Sequence, residues 1–388
     1  MSKPIWKIAA LAVLLPSTTF ASDGLNGANT AWILTATALV LMMTLPGLSL
    51  FYGGLVRVKN ILSILMQCFA VTCVASLLWL LVGYSMAFSE GNAFVGGFAE
   101  RMRFSSMLVF SGLWLLAVYA PITHWVWGGG WLSEMGLLDF AGGTVVHVTA
   151  GVAAVVAAMV MGPRHGFPNQ PMPPHNMTMT ITGAGLLWVG WFGFNAGSAL
   201  AANGDAGMAM LVTHVSAAAG ALTWMACEWT RFGRPSALGA VTGMVAGLGT
   251  ITPASGYVGP GGALVIGILA GFVCYHATVF LKQRLKVDDS LDVFPVHGVG
   301  GALGTLLAAV FASAGLGVFS GQGLAEGMTI ASQFQVQLIG VLASGGYTAI
   351  VTFVLLKLID RMLGLRVSQD EETEGLDLTQ HNERGYDL

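Results

Sequence analysis

The sequence predicts an all-α polytopic membrane protein of about ten transmembrane helices, and three observations carry that reading. Of 388 residues, 55% are hydrophobic and only 9% are charged, whereas a soluble domain carries about a quarter charged residues. Mean hydropathy is +0.74. The apolar residues also gather into runs of about twenty, the length that crosses a hydrocarbon core. The net charge of -3 offers no basic surface for nucleic acid. The 53 glycines suit a tightly packed bundle, because small residues let helices in a bilayer approach closely.

Taken in order, residues 1–21 read as a secretory signal peptide. Lys3 and Lys7 form a basic start, residues 8–15 are apolar but too short to span, and Thr19-Phe20-Ala21 offers small residues for cleavage. Residues 22–364 read as the membrane domain. Its candidate spans are roughly 30–54, 62–88, 104–127, 143–162, 176–200, 207–229, 236–254, 259–281, 291–313 and 333–358. Residues 365–388 form an acidic tail, expected in the cytoplasm of a bacterium with the chain in its inner (plasma) membrane. Cys68, Cys73, Cys227 and Cys274 all fall in apolar runs without CxxC spacing, so they read as inert thiols.

Basic loops test the topology, since Lys and Arg concentrate on the cytoplasmic side. From Arg101 onward, through Arg164, Arg231/Arg234, Lys282/Arg284/Lys286 and Arg361/Arg366, successive basic loops are separated by two spans each. Between Lys59 and Arg101 there is one full span. A single crossing cannot join two loops on one side. Either a helix is missing near residue 95, a segment is re-entrant, or one loop breaks the rule.

Two histidines stand out: His147 in DFAGGTVVH and His297 in DVFPVH, each shortly after an aspartate, Asp139 or Asp292. An ionisable group at membrane depth is costly and faces a partner or a pathway. Imidazole both gives and accepts protons near neutral pH. A shared pore-lining pair therefore outweighs two unrelated core histidines. A zinc site ranks below both, because metal sites show closer spacing or more ligands. Asp139 and Asp292 sit near helix starts, where capping and the helix dipole favour carboxylates. HWVWGGGW (124–131) reads as an interfacial aromatic belt or, more sharply, as a cation–π site. WFGFNAGS (191–198) adds Trp191, Phe194 and the Ser198 hydroxyl.

Together these residues resemble the ammonium transporter (Amt/Mep/Rh) family over nearly the whole chain past the signal. The matching runs are PGLSLFYGGLVRVKN (46–60), AERMRF (99–104), HWVWGGG (124–130), LDFAGGTVVH (138–147), GWFGFNAGSA (190–199), ITPASGYVG (251–259) and DDSLDVFPVHGVGG (288–301), with the tail GLRVSQDEETEGLD. The resemblance implies an eleven-helix bundle built on an inverted repeat, assembled as a homotrimer in the lipid bilayer. It implies an ammonium/ammonia channel-type transporter, with no cofactor and no enzymatic activity. It assigns Trp127 and Ser198 to external ammonium recruitment, with Asp139 in electrostatic support and Thr252 beside the external path. His147 and His297 become the twin pore histidines, lined by Trp191 and gated by Phe194. Many bacterial members are closed by a PII-type signalling protein on the cytoplasmic face. This chain departs from the pattern at residues 92–99, where the family's third helix is essentially absent. An alternative is a transport-impaired ammonium sensor or a PII-docking scaffold. An intramembrane enzyme ranks last, since the chain shows no HExxH, GxSxG or CxxC cluster.

Overall fold

The computed structural model describes residues 25–88, 101–314 and 323–386. The proposed signal peptide and the departure at 92–99 lie outside the described residues. Ten helices among the described residues are long and apolar enough to cross a membrane. Counted as spans, they are α1 (Gly27–Leu55), α2 (Val58–Phe88), α3 (Phe104–Glu134), α4 (Gly143–Met161) and α5 (Met177–Gly197). Then follow α6 (Gly204–Phe232), α7 (Ala237–Ala254), α8 (Pro260–Arg284), α9 (Phe294–Phe311) and α10 (Ile330–Leu363). The expected spans are all present, with ends shifted by a few residues.

Local chemistry sets many of the boundaries. Asn26, Asn176, Asn203 and Ser236 each accept a backbone N–H in the first turn of the helix that follows. Pro260 opens α8, where its missing N–H costs nothing. Gly233 ends α6 in the left-handed conformation that glycine adopts freely. Several spans contain a π-helical turn, including Gly143–Val148 in α4 and Phe294–Val299 in α9. Such turns recur at functional positions.

The tail packs back onto one end of the bundle. It forms two short helices, α11 (Gln369–Glu374) and α12 (Leu376–His381). The Asp377 carboxylate accepts the N–H groups of Leu62 (3.1 Å) and Ser63 (2.8 Å) at the start of α2. Glu372, buried, bonds Arg366 (2.8 Å) and the His165 N–H (2.8 Å). Burial pushes its carboxyl up, but the Arg366 and His165 hydrogen bonds and the charges of Arg366 and Arg57 hold it below the usual range. Arg103 donates its N–H to Leu365 (2.8 Å), just before α3.

These contacts settle the parity conflict. The starts of α2 and α3 both lie against the tail. Their far ends also meet: the turn Tyr84–Phe88 packs on Ala120–Trp127, and His124 Nδ1 lies 3.2 Å from the Ala87 carbonyl oxygen. Consecutive spans α2 and α3 therefore run side by side in the same direction. Phe88 and Arg101 stand at opposite ends of the bundle. The Lys59 and Arg101 loops share one end, as the charge rule requires, and α2 is a full span rather than a re-entrant segment.

Candidate functional site

The site is built where α4 and α9 cross. Each begins with a π-helical turn that carries a histidine. The helices touch backbone to backbone: a Cβ at Gly151 would overlap the backbone of Gly298. Gly301, four residues after His297 as Gly151 is four after His147, packs against the His147 Cβ and the Gly143 carbonyl. Only glycine permits an approach this close. The crossing brings His147 Nδ1 and His297 Nδ1 to 3.2 Å, within hydrogen-bond distance. We expect Gly151→Ala to separate the pair or unfold the bundle. The check is thermal unfolding in detergent, and an unchanged midpoint with wild-type flux would contradict the crossing.

The imidazole pair sits among aromatic rings. His147 is buried, and its ring centroid lies 5.5 Å from that of Trp191, 6.2 Å from Phe194 and 5.2 Å from His297. His147 Nε2 has no hydrogen-bond partner. Trp191 is held in place by its indole N–H, which donates to the Thr252 hydroxyl oxygen (3.0 Å). Ser198 donates to the Phe194 carbonyl (2.9 Å). On the tail side His297 faces a small cavity of about 100 Å³, lined in part by Tyr52, Lys282, Asp292 and Leu238.

Asp139 organises the opposite end. Its carboxylate accepts the N–H groups of Gly142 (2.8 Å), Gly143 (2.6 Å) and Thr144 (2.8 Å), and the Thr144 hydroxyl. It is thus a buried cap on the positive end of α4. Its main-chain carbonyl accepts the Trp127 indole N–H at 2.7 Å. One residue therefore fixes both the histidine-bearing helix and the tryptophan.

The capping role expected of Asp292 belongs to Asp289. Asp292 pairs with Lys282 at 2.7 Å and has positive φ, whereas the Asp289 carboxylate accepts the Phe294 N–H at 2.7 Å. A signal for this was present in the text: DFAGGTVVH and DSLDVFPVH share the same spacing, aspartate to histidine in eight steps. The nearer aspartate hid the repeat. Burial, with the Asp292 charge, pushes the Asp289 carboxyl up to about 6, against the pull of the Phe294 N–H and Lys282.

Beside it, Asp288 makes a buried bidentate pair with Arg164. Arg164 donates Nε (2.9 Å), Nη2 (2.7 Å) and its main-chain N–H (2.7 Å), and Arg101 donates to the Asp288 carbonyl (2.9 Å). Sequence alone marks Arg101 and Arg164 only as topology signals.

The Ammonium Transporter Family model matches residues 31–98 and 92–386, in two pieces that meet at the departure point. The chain is 42% identical to the ammonium transporter Amt1 of Archaeoglobus fulgidus, covering 94% of this chain and 100% of that protein. That alignment runs over 400 positions, more than the 388 residues of this chain, so the relative carries residues with no counterpart here. Among solved structures, it resembles one described as a sensor Amt protein, with TM-score 0.85, 28% identity and coverage of 91% of this chain and 98% of that one. It also resembles Candida albicans Mep2, with TM-score 0.78, 33% identity and coverage of 89% and 87%.

Proposed function

The chain belongs to the ammonium transporter family, a family of multi-pass membrane transporters and not of enzymes, and from that premise we propose that it conducts ammonia through a pore lined by His147 and His297. The observation that carries this reading is the imidazole pair, buried His147 and part-buried His297, 3.2 Å apart at the helix crossing. Carrying a bare ammonium ion through an apolar lumen has a large desolvation cost, whereas ammonia is small and neutral. Ammonium is held at the far mouth by the Trp127 face and the Ser198 hydroxyl, a cation–π and hydrogen-bond pair. Asp139 and Thr252 position that mouth through Trp127 and Trp191. Phe194 gates the way to the histidines. The proton stays behind or is relayed, and the imidazole pair supplies both donor and acceptor in a dry lumen. Potassium is similar in size to ammonium but has no proton to shed, so this pore rejects it.

In the same reading residues 1–21 are a signal peptide, residues 22–364 the transporter domain and residues 365–388 a cytoplasmic tail. The tail end of the bundle faces the cytoplasm of a bacterial cell, the chain forms a homotrimer in the inner membrane, and a PII-type protein docks on the tail face. The parallel run of α2 and α3, the two-piece family match and the overlong alignment support the loss of the family's third helix near 92–99.

The test is ammonium-elicited current in proteoliposomes of the full chain, with potassium as control. A selective ammonium current is expected. No current from well-assembled protein overturns conduction and favours a second reading, an ammonium sensor. The likeness to a structure described as a sensor Amt protein is the observation behind that second reading.

A further inference from the structure

Among the described residues, the proposed loss of the third helix leaves a measurable space. The two halves of the bundle correspond span by span. Asp139 and His147 match Asp289 and His297, and Gly151 matches Gly301. By the same offset Ala150, Ala154 and Ala158 of α4 match Gly300, Gly304 and Ala308 of α9. In the second half, α7 packs among α5, α6, α8 and α9. There the small residues of α9 receive it, Gly300 facing the Thr250 hydroxyl and Gly304 the Thr250 carbonyl. In the first half, the corresponding place between α1, α2, α3 and α4 is a cavity of about 500 Å³. Ala150, Ala154 and Ala158 line it, facing Leu48 of α1, Val71 of α2 and Trp114 of α3.

We propose that this cavity is a binding site for one long acyl chain of a membrane lipid. Three observations favour that occupant. The described walls are mainly apolar, with Gln67, Thr72 and Ser111 among the exceptions and Asp288, Asp289 and Arg101 gathered at one end, and an apolar cavity takes an apolar guest. The size fits: if a cavity of about 150 Å³ takes a six-carbon ring, about 500 Å³ takes roughly twenty carbons, one lipid chain and far less than a whole helix. The helices that wall the site also carry exposed leucines. The first turns of α1 pack on α5, while the last turns of α2 pack on α3. Their free flanks present Leu34 and Leu41 on α1 and Leu77, Leu80 and Leu81 on α2, all strongly exposed. A lipid chain enters there from the surrounding bilayer. The tail-side floor is closed by the Arg164–Asp288 pair and Arg101.

The inference deepens the transport reading and rests on it for its consequence. Tyr52, Ser290 and Leu291 line both this cavity and the cavity below His297. A bound chain therefore forms part of the side wall of the conduction path, in the place where relatives have protein.

The test is photocrosslinking of the full-length chain in nanodiscs, using a phospholipid with a mid-chain diazirine and mapping adducts by mass spectrometry. Adducts on Val71, Trp114 and Ala154, well above those on Leu80 and Leu81, are expected. Ala154→Trp, which obstructs the cavity, brings the Val71 and Trp114 adducts well below those of the wild type and leaves those on Leu80 and Leu81. Val74→Phe, from the opposite wall, does the same and serves if the first variant fails to fold. Adducts confined to the exposed leucines overturn the proposal, as does co-purification of a small membrane protein whose helix shields the cavity residues. The measurement needs no flux. Adducts without ammonium current defeat the transport reading alone, and current without adducts defeats the lipid site alone.

Discussion

His147→Ala lowers ammonium-elicited current by at least about tenfold, ~1.4 kcal/mol on the conduction barrier, or opens the pore to potassium. The two imidazoles meet through Nδ1 and Nδ1 at 3.2 Å, so one donates and the other accepts. Removing either ring leaves the other with a buried nitrogen unpaired, which costs free energy and invites water. Water in the lumen lowers the penalty for a bare cation, and potassium then passes. His297→Ala gives the same phenotype, and the double variant is no worse than either single one, because residues acting as a unit are not additive. Wild-type current with unchanged potassium exclusion in His147→Ala would sink the reading.

The membrane spans were legible because a run of about twenty apolar residues carries its own structural instruction. The break in the topology between Lys59 and Arg101 was legible for a related reason. Charge parity is a global constraint, and Lys59 and Arg101 violate it unless α2 and α3 run parallel. The histidine pair was legible from the cost of an ionisable group at membrane depth and from imidazole chemistry, and the capping role of Asp139 from its place near a helix start. What sequence did not reveal is what depends on distant contacts. Asp377 caps α2 from more than 300 residues away, and nothing in the acidic tail announces that. The π-helical turns under both histidines have no composition signature. Asp292 looked like the cap of α9 because it is nearer to His297. The fold selects Asp289, since the helix begins at Phe294 and Asp292 is turned away on Lys282.

That same corner carries the largest expected effect on stability. Asp288→Ala destabilises the bundle by about 3–5 kcal/mol, the cost of stranding one member of a buried ion pair. Asp288 is almost wholly buried, 3% exposed, and its carboxylate takes three donors of Arg164. Burial pushes its carboxyl up, but the Arg164 hydrogen bonds and charge, with the Arg101 charge, hold it below the usual range. Its contribution is therefore fully present above the ordinary carboxylate value and is lost only as pH falls through the lowered one. Asp289, its neighbour, has the opposite sign. A carboxyl raised to about 6 stabilises the fold when protonated, and that contribution is lost as pH rises through 6. Thermal unfolding in detergent separates the two. The gap between wild type and Asp288→Ala stays constant from pH 5 to 8 and closes only in strong acid. The loss of wild-type stability between the ordinary carboxylate value and about pH 6 flattens in Asp289→Asn, which keeps an acceptor for the Phe294 N–H without a charge to desolvate. A pH-dependent gap in the first variant, or an unchanged slope in the second, would mean that burial and pairing are assigned to the wrong aspartates.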